Sequence, residues 1–218
     1  DGRFGNENAI KKILQICAAH NLKKIIITKN GILSTPAASN LIRINNALAG
    51  IILSASHNPG GISGDFGVKV NISNGGPAQE KLTNQIFRCS QTLLKYKFYD
   101  QEVPDLDQIG AFIINNTHVQ IIDGVEDYVA LMEKIFDLDQ IGDFLKKDFT
   151  MIFDAMNAVT GPYAEEIFVK RLGQSNNCLL NFYPLPDFGK LHPDPNLTYA
   201  KELADLLLEK KSFSFGAA

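Results

Sequence analysis

Short apolar runs alternating with helical stripes limit what this chain can fold into more than any other feature of its sequence. Lys24 to Thr28 and Gly50 to Leu53 are β-branched or aliphatic runs of strand length. Around them, Ile10, Ile13, Leu14 and Cys17 recur at helical spacing between residues 8 and 19. Thr35-Pro36 reads as an N-cap followed by proline at the first helical position, and Leu41 and Ile44 carry that helix toward Asn46. Val68, Val70 and Ile72 alternate with Lys69 and Asn71, which predicts a strand with Lys69 on the face opposite the three apolar residues. Gly75-Gly76-Pro77 opens a helix striped by Leu82, Ile86, Cys89 and Leu93. This alternation predicts an α/β fold in which helices cover a mixed or mostly parallel sheet.

Periodicity then fades between Tyr96 and Thr117, apart from Phe112-Ile113-Ile114, and a second series begins near His118. Val119, Ile121 and Ile122 predict a strand, and Asp123-Gly-Val-Glu126 has the form of a capping box before a helix through Val129, Met132 and Phe136. Met151 to Phe153 reads as a strand, Pro162 to Leu172 as a helix closed by Gly173, and Leu179 to Tyr183 as a strand. A proline-rich loop (184–195) leads to a helix over Leu197 to Lys210 and a last strand from Ser212. Two domains are therefore expected, 1–117 and 118–218.

Composition excludes more than it assigns. The 218 residues are 45% hydrophobic and 21% charged with net charge −3, which draws the chain toward neither nucleic acid nor an acidic membrane surface. No apolar run reaches membrane-spanning length. Cys17, Cys89 and Cys178 are few, odd in number and far apart, the pattern of buried thiols in a reducing compartment, which points to the cytoplasm.

Chemistry concentrates after the run Gly50 to Leu53. The loop Ser54-Ala-Ser-His-Asn-Pro-Gly-Gly61 offers a hydroxyl at Ser56, an imidazole at His57 and an amide at Asn58, with glycines at 60, 61 and 64. Ligands in open α/β sheets collect beyond the carboxyl ends of strands, and glycines let backbone N–H groups turn inward around an anion. The loop lacks the Gly-Lys-Ser/Thr of a P-loop and the Gly-x-Ser-x-Gly of a hydrolase elbow. Ser, Asn, Pro and Gly also favour plain turns, so composition alone modestly favours an ordinary turn.

The longer string Gly50 to Gly61, followed by Gly64-Asp-Phe-Gly-Val-Lys-Val-Asn71, resembles the active-site signature of the phosphohexomutase superfamily, and most closely its phosphoglucomutase branch. Asp1-Gly-Arg3, Asn30-Gly-Ile-Leu-Ser-Thr-Pro-Ala37, Ile72-Ser-Asn-Gly-Gly-Pro-Ala78, Gly161-Pro-Tyr163 and His192-Pro-Asp-Pro-Asn-Leu-Thr-Tyr-Ala200 extend the likeness over essentially the whole chain. The resemblance implies two consecutive phosphohexomutase-type domains, the second incomplete. It makes Ser56 the phosphorylated serine, with His57 and Lys69 beside the transferred phosphate and Asn58 and Arg3 orienting phosphate or loop. It further implies Mg²⁺ bound through the Ser56 phosphate, glucose 1,6-bisphosphate as intermediate and activator, hexose phosphates as substrates, and a cytoplasmic monomer with no nucleic-acid or membrane partner. The family's Asp-Gly-Asp-Gly-Asp-Arg metal loop is not in this sequence, so the 218 residues alone are expected to be inactive. Ser54 replaces the usual threonine, Asn157-Ala158 stands where His-Gly is common, and Asp187 to His192 departs from the commoner lead into Pro-Asp-Pro. The alternative within the superfamily is a non-catalytic, secretion-linked protein of the parafusin type.

Overall fold

A computed structural model of the chain describes residues 1–147, 149–209 and 213–218. The chain divides into two compact units, one formed by 5–54 and 67–124, the other by 1–4, 55–66 and 125–218.

The first unit runs through α1 (Asn6–Ala19), β1 (Lys24–Thr28), α2 (Thr35–Ile44), β2 (Ala49–Leu53), β3 (Val68–Ile72), α3 (Glu80–Thr92), β4 (Gly110–Ile114) and β5 (Thr117–Ile122). The predicted stripe of α1 is the buried one, with Ile10, Leu14 and Ala18 packed on Ile114, Val119 and Ile121. The strand order β1-β5-β4 places β1 parallel to β5 (Lys24 opposite His118) and β4 antiparallel to it. The strand beginning at Thr117 thus completes the sheet of the first unit. Helix α2 is capped as the sequence indicates, though one residue earlier: the Ser34 hydroxyl accepts from Ala37 N–H at 3.3 Å, and Pro36 occupies the first turn.

Strands β2 and β3 form a separate antiparallel pair, with Ile52 opposite Lys69. The predicted facing of β3 holds only in part: Lys69 is exposed and Val70 and Ile72 are half-buried, but Asn71 is buried and Val68 is exposed. The cause is local, because the Asn71 amide donates to Gly75 O at 2.9 Å and ties off the turn that follows. The α3 stripe differs too, since that helix buries no residue and Leu82, Ile86 and Cys89 are exposed.

The second unit contains α4 (Glu126–Ile135), α5 (Leu138–Leu145), β6 (Met151–Asp154), α6 (Gly161–Ala164, continued by wider turns through Glu165–Arg171), β7 (Leu179–Leu180), α7 (Lys201–Ala204, continued through Asp205–Glu209) and β8 (Phe215–Ala217). The order β7-β6-β8 is wholly parallel. Alternate residues of β6 feed opposite cores. Met151 packs with Leu145, Ala164, Leu172 and Leu179, whereas Ile152 packs with Met156, Ala200 and Leu203. Period two puts these neighbours on opposite faces of a sheet covered on both sides, which is why β6 is apolar throughout until Asp154. Gly173 closes α6 at φ 70, as its position implied. Helix α4 starts at Glu126, with Val125 in the cap position in place of Asp123. Helix α5 went unpredicted, although Asp137, whose side chain accepts from Gln140 N–H at 2.9 Å, is its capping signal. The expected helix and last strand flanking residues 210–212 lie partly outside the described residues. Among the described residues no helix is long and apolar enough to cross a membrane.

Candidate active site

The serine loop, 55–66, belongs to the second unit. Its shape is dictated by one buried cation. Arg3 is 2% exposed, and its guanidinium donates to four loop carbonyls: Asp65 O at 2.6 Å, Ser56 O at 3.1 Å, Pro59 O at 3.4 Å and Asn58 O at 3.5 Å. Its Nε pairs with the Asp1 carboxylate at 3.0 Å. Burial lowers the guanidinium pKa and the Asp65 charge partly restores it, leaving a cation whose fork of donors matches a ring of carbonyl oxygens. Arg3 is a loop-holding residue here, and every direction of its fork already has an acceptor.

A second clamp comes from the loop at 184–195. Pro186 O accepts from both Gly61 N–H (3.1 Å) and Phe4 N–H (2.8 Å). The Phe188 ring, 2% exposed, lies under the Arg3 guanidinium at 5.3 Å, within cation–π range. Glycine is required at two points of contact: a Cβ on Gly60 would meet the Phe188 ring at 2.7 Å, and one on Gly64 would come under 3.0 Å from Gly60 O. Asn58 donates from Nδ2 to Asp65 Oδ2 at 2.9 Å, and Asp65 N–H returns to Pro59 O at 3.0 Å, which closes the loop on itself.

On this scaffold Ser56 and His57 are exposed, and Ser56 has φ 59, a left-handed conformation costing a non-glycine residue about 1–2 kcal/mol. Such strain persists where the surroundings over-determine it, as Arg3 does here by fixing the Ser56 carbonyl. The structure thus brings Arg3, Ser56, His57 and Asn58 together in one unit. Lys69, exposed on β3, belongs to the other unit. Asp65, Pro186 and Phe188 were not singled out from the sequence. The glycines at 60 and 64 carried a hint of close approach, but nothing in the sequence said what approaches them.

His192 and Tyr199, flanking Pro-Asp-Pro, stack at 4.3 Å and 14°, and the His192 ring centroid lies 6.4 Å from that of His57. Asn196 Oδ1 accepts from Thr198 and Tyr199 N–H, so the segment is a self-bonded turn, and the helix expected from Leu197 begins at Lys201. Asp154 also caps its own turn, Oδ1 accepting from Met156 N–H at 2.9 Å and from Asn181 Nδ2 at 3.1 Å. Cys178 is buried, Cys17 half-buried and Cys89 exposed, and burial raises the thiol pKa of the first two.

Mg²⁺ prefers about six oxygen ligands in near-octahedral array. Among the described residues no group of three or more His, Cys, Asp or Glu converges in that way, and the one carboxylate of the serine loop, Asp65, is engaged by Asn58. These residues do not form a magnesium cage.

The α/β scaffold thus presents a strained, exposed serine on a loop clamped by a buried arginine. Residues 1–97 match the family described as phosphoglucomutase/phosphomannomutase, alpha/beta/alpha domain I. The chain is 50% identical over its full length to a phosphoglucomutase of Emericella nidulans and 46% identical to phosphoglucomutase 1 of Drosophila melanogaster, covering 39% and 40% of those proteins. The solved open form of the exocytosis-sensitive phosphoprotein pp63/parafusin (phosphoglucomutase) from Paramecium superposes with TM-score 0.93 at 42% identity, over all of this chain and 42% of that one. The chain belongs to the phosphoglucomutase/phosphomannomutase family. It spans about two fifths of the length of the curated relatives it matches.

Proposed function

We propose that the protein carrying this chain is a phosphoglucomutase, interconverting glucose 1-phosphate and glucose 6-phosphate with Ser56 as phosphoryl carrier. The phosphoryl group passes from Ser56 Oγ to the 6-hydroxyl of glucose 1-phosphate, and the resulting 1,6-bisphosphate returns its 1-phosphoryl group to Ser56. The observation that carries this reading is the exposed, left-handed Ser56 held by Arg3 through its own carbonyl. A carrier must face solvent-borne substrate while its backbone stays fixed, because in-line transfer depends on positioning. His57 and Asn58 act next to the phosphoryl group, and Lys69 supplies a charge partner and proton donor to the sugar oxygens. Arg3 serves the phosphate indirectly, through the loop.

In this reading a cytoplasmic location and a monomeric state follow the phosphohexomutase pattern, while the first domain runs past the expected boundary at 117 to include β5. The family's dependence on Mg²⁺ belongs to its triple-aspartate loop, absent from this sequence, so the 218 residues alone are catalytically silent. A scaffold role gains no separate support from the Paramecium likeness, because that protein is itself titled a phosphoglucomutase.

The test is glucose 1-phosphate turnover by the full-length protein with Mg²⁺ and a trace of glucose 1,6-bisphosphate. Intact-mass detection of phosphoserine accompanies it. Ser56→Ala should abolish both signals. Normal turnover by that variant would exclude Ser56 as the carrier.

A further inference from the structure

The Pro-Asp-Pro turn holds an arrangement that packing does not explain. His192 stacks on Tyr199 nearly parallel, yet its Nδ1 is buried without a hydrogen-bond partner. An orphaned buried polar atom costs about 1–3 kcal/mol, and a phenylalanine would keep the stack without that cost. Local rules are broken in this way mainly where a side chain is wanted for something else. With Nδ1 shut in, Nε2 is the nitrogen left to donate a hydrogen bond.

Beyond Tyr199, the ring facing it is that of His57, the neighbour of Ser56. An imidazole nitrogen about 1.2 Å from its ring centroid, plus a hydrogen bond of about 2.8 Å, puts an acceptor oxygen about 4 Å from each centroid. Two centroids 6.4 Å apart then subtend about 110° at one shared oxygen, close to the angle between lone pairs on a phosphoryl oxygen.

We propose that His192 is a phosphoryl-binding residue which, with His57, brackets one oxygen of the phosphate carried by Ser56. The inference rests on the Ser56 reading for the origin of that phosphate. The self-bonded turn from Asp194 to Tyr199 then has a purpose: it holds the His192 imidazole still. Asp194 N–H donates to His192 O at 2.8 Å and Asn196 Nδ2 donates to Asp194 Oδ2 at 2.7 Å, which ties down the chain directly after the ring.

The 218-residue chain is titrated with inorganic phosphate while the imidazole ¹H–¹⁵N resonances of its four histidines are followed. His57 and His192 should shift together with one binding constant, and His20 and His118 should stay still. His192→Phe should weaken phosphate binding about tenfold, with a melting temperature equal to or above that of the parent chain. His192→Asn, which keeps a donor, should recover part of the affinity. A silent His192 resonance, or unchanged affinity in a folded His192→Phe chain, overturns the proposal. Phosphoserine formation at Ser56 in the full-length protein is scored separately. If it fails while phosphate still moves both rings, the carrier reading falls and the imidazole pair stands as an anion site.

Discussion

Replacing Arg3 by alanine should release the serine loop before it unfolds anything else. The guanidinium makes two short charged hydrogen bonds to loop carbonyls, Asp65 O at 2.6 Å and Ser56 O at 3.1 Å, and two long ones that add little. Charged hydrogen bonds contribute about 1.5–3 kcal/mol each, so the short pair amounts to about 3–6 kcal/mol. Contact with the Phe188 ring adds about 1 kcal/mol, while the freed Asp1 and some rehydrated carbonyls recover a similar amount. A net loss of about 3–5 kcal/mol falls on the loop. Arg3→Lys should recover little, since a single ammonium cannot span carbonyls placed for a planar fork. Hydrogen exchange provides the assay. The amides of Asn58, Gly61, Gly64 and Asp65 are all bonded within the loop or to Pro186, and should exchange about 10²–10³ times faster in Arg3→Ala. Amides of β1 and β5 should keep their protection. Unchanged exchange across 55–66, with an unchanged denaturant midpoint, would refute the view that Arg3 sets the shape of this loop.

Gly64→Ala should cost about 2 kcal/mol and abolish Ser56 phosphorylation, because the new methyl meets the Gly60 carbonyl rather than a movable side chain; calorimetry and intact mass report the two effects. Lys190→Gly should stabilise the chain by about 0.5–1 kcal/mol in denaturant titration, since Lys190 sits at φ 62 where glycine carries no strain. Arg171 joins Glu126 and Glu133 of α4 to Glu166 of α6 at 2.8–3.2 Å, so Arg171→Gln should lower the melting temperature, and by less in high salt. The Glu166 carboxyl is held below its ordinary pKa, chiefly by the Lys170 hydrogen bond and then by Arg171. A depressed carboxyl pKa stabilises the fold above the unfolded value, and that contribution fades as pH falls through the folded one. Lys170→Gln should therefore flatten the acid limb of the stability curve between about pH 5 and pH 3, and an unaltered limb would count against the pairing.

What the sequence made legible follows how locally each feature is determined. The α1 stripe, the start of α2 and the presence of a strand at β6 depend on neighbours a few residues apart, and each was readable. The burial of Asn71 on β3 was not, because its amide ties a turn to Gly75, which the alternation of apolar residues does not reveal. Nor was the exposed stripe of α3, since periodicity tells which face is apolar but not whether anything covers it. The site divides in the same way. Ser56, His57 and Asn58 are contiguous and carried a recognisable family pattern, whereas the groups that shape their loop come from the two ends of the chain, Arg3 at one and Pro186 with Phe188 at the other. No spacing rule links residue 3 to residue 56 or residue 60 to residue 188; only the folded chain shows that Gly60 is small because an aromatic ring passes over it. The conformation at Ser56 is therefore a property of three distant segments. A variant far from the serine in sequence, such as Phe188→Ala, should loosen Ser56 more than a change at neighbouring Ala55, and the exchange of the Asn58 and Gly61 amides is where that difference should be read.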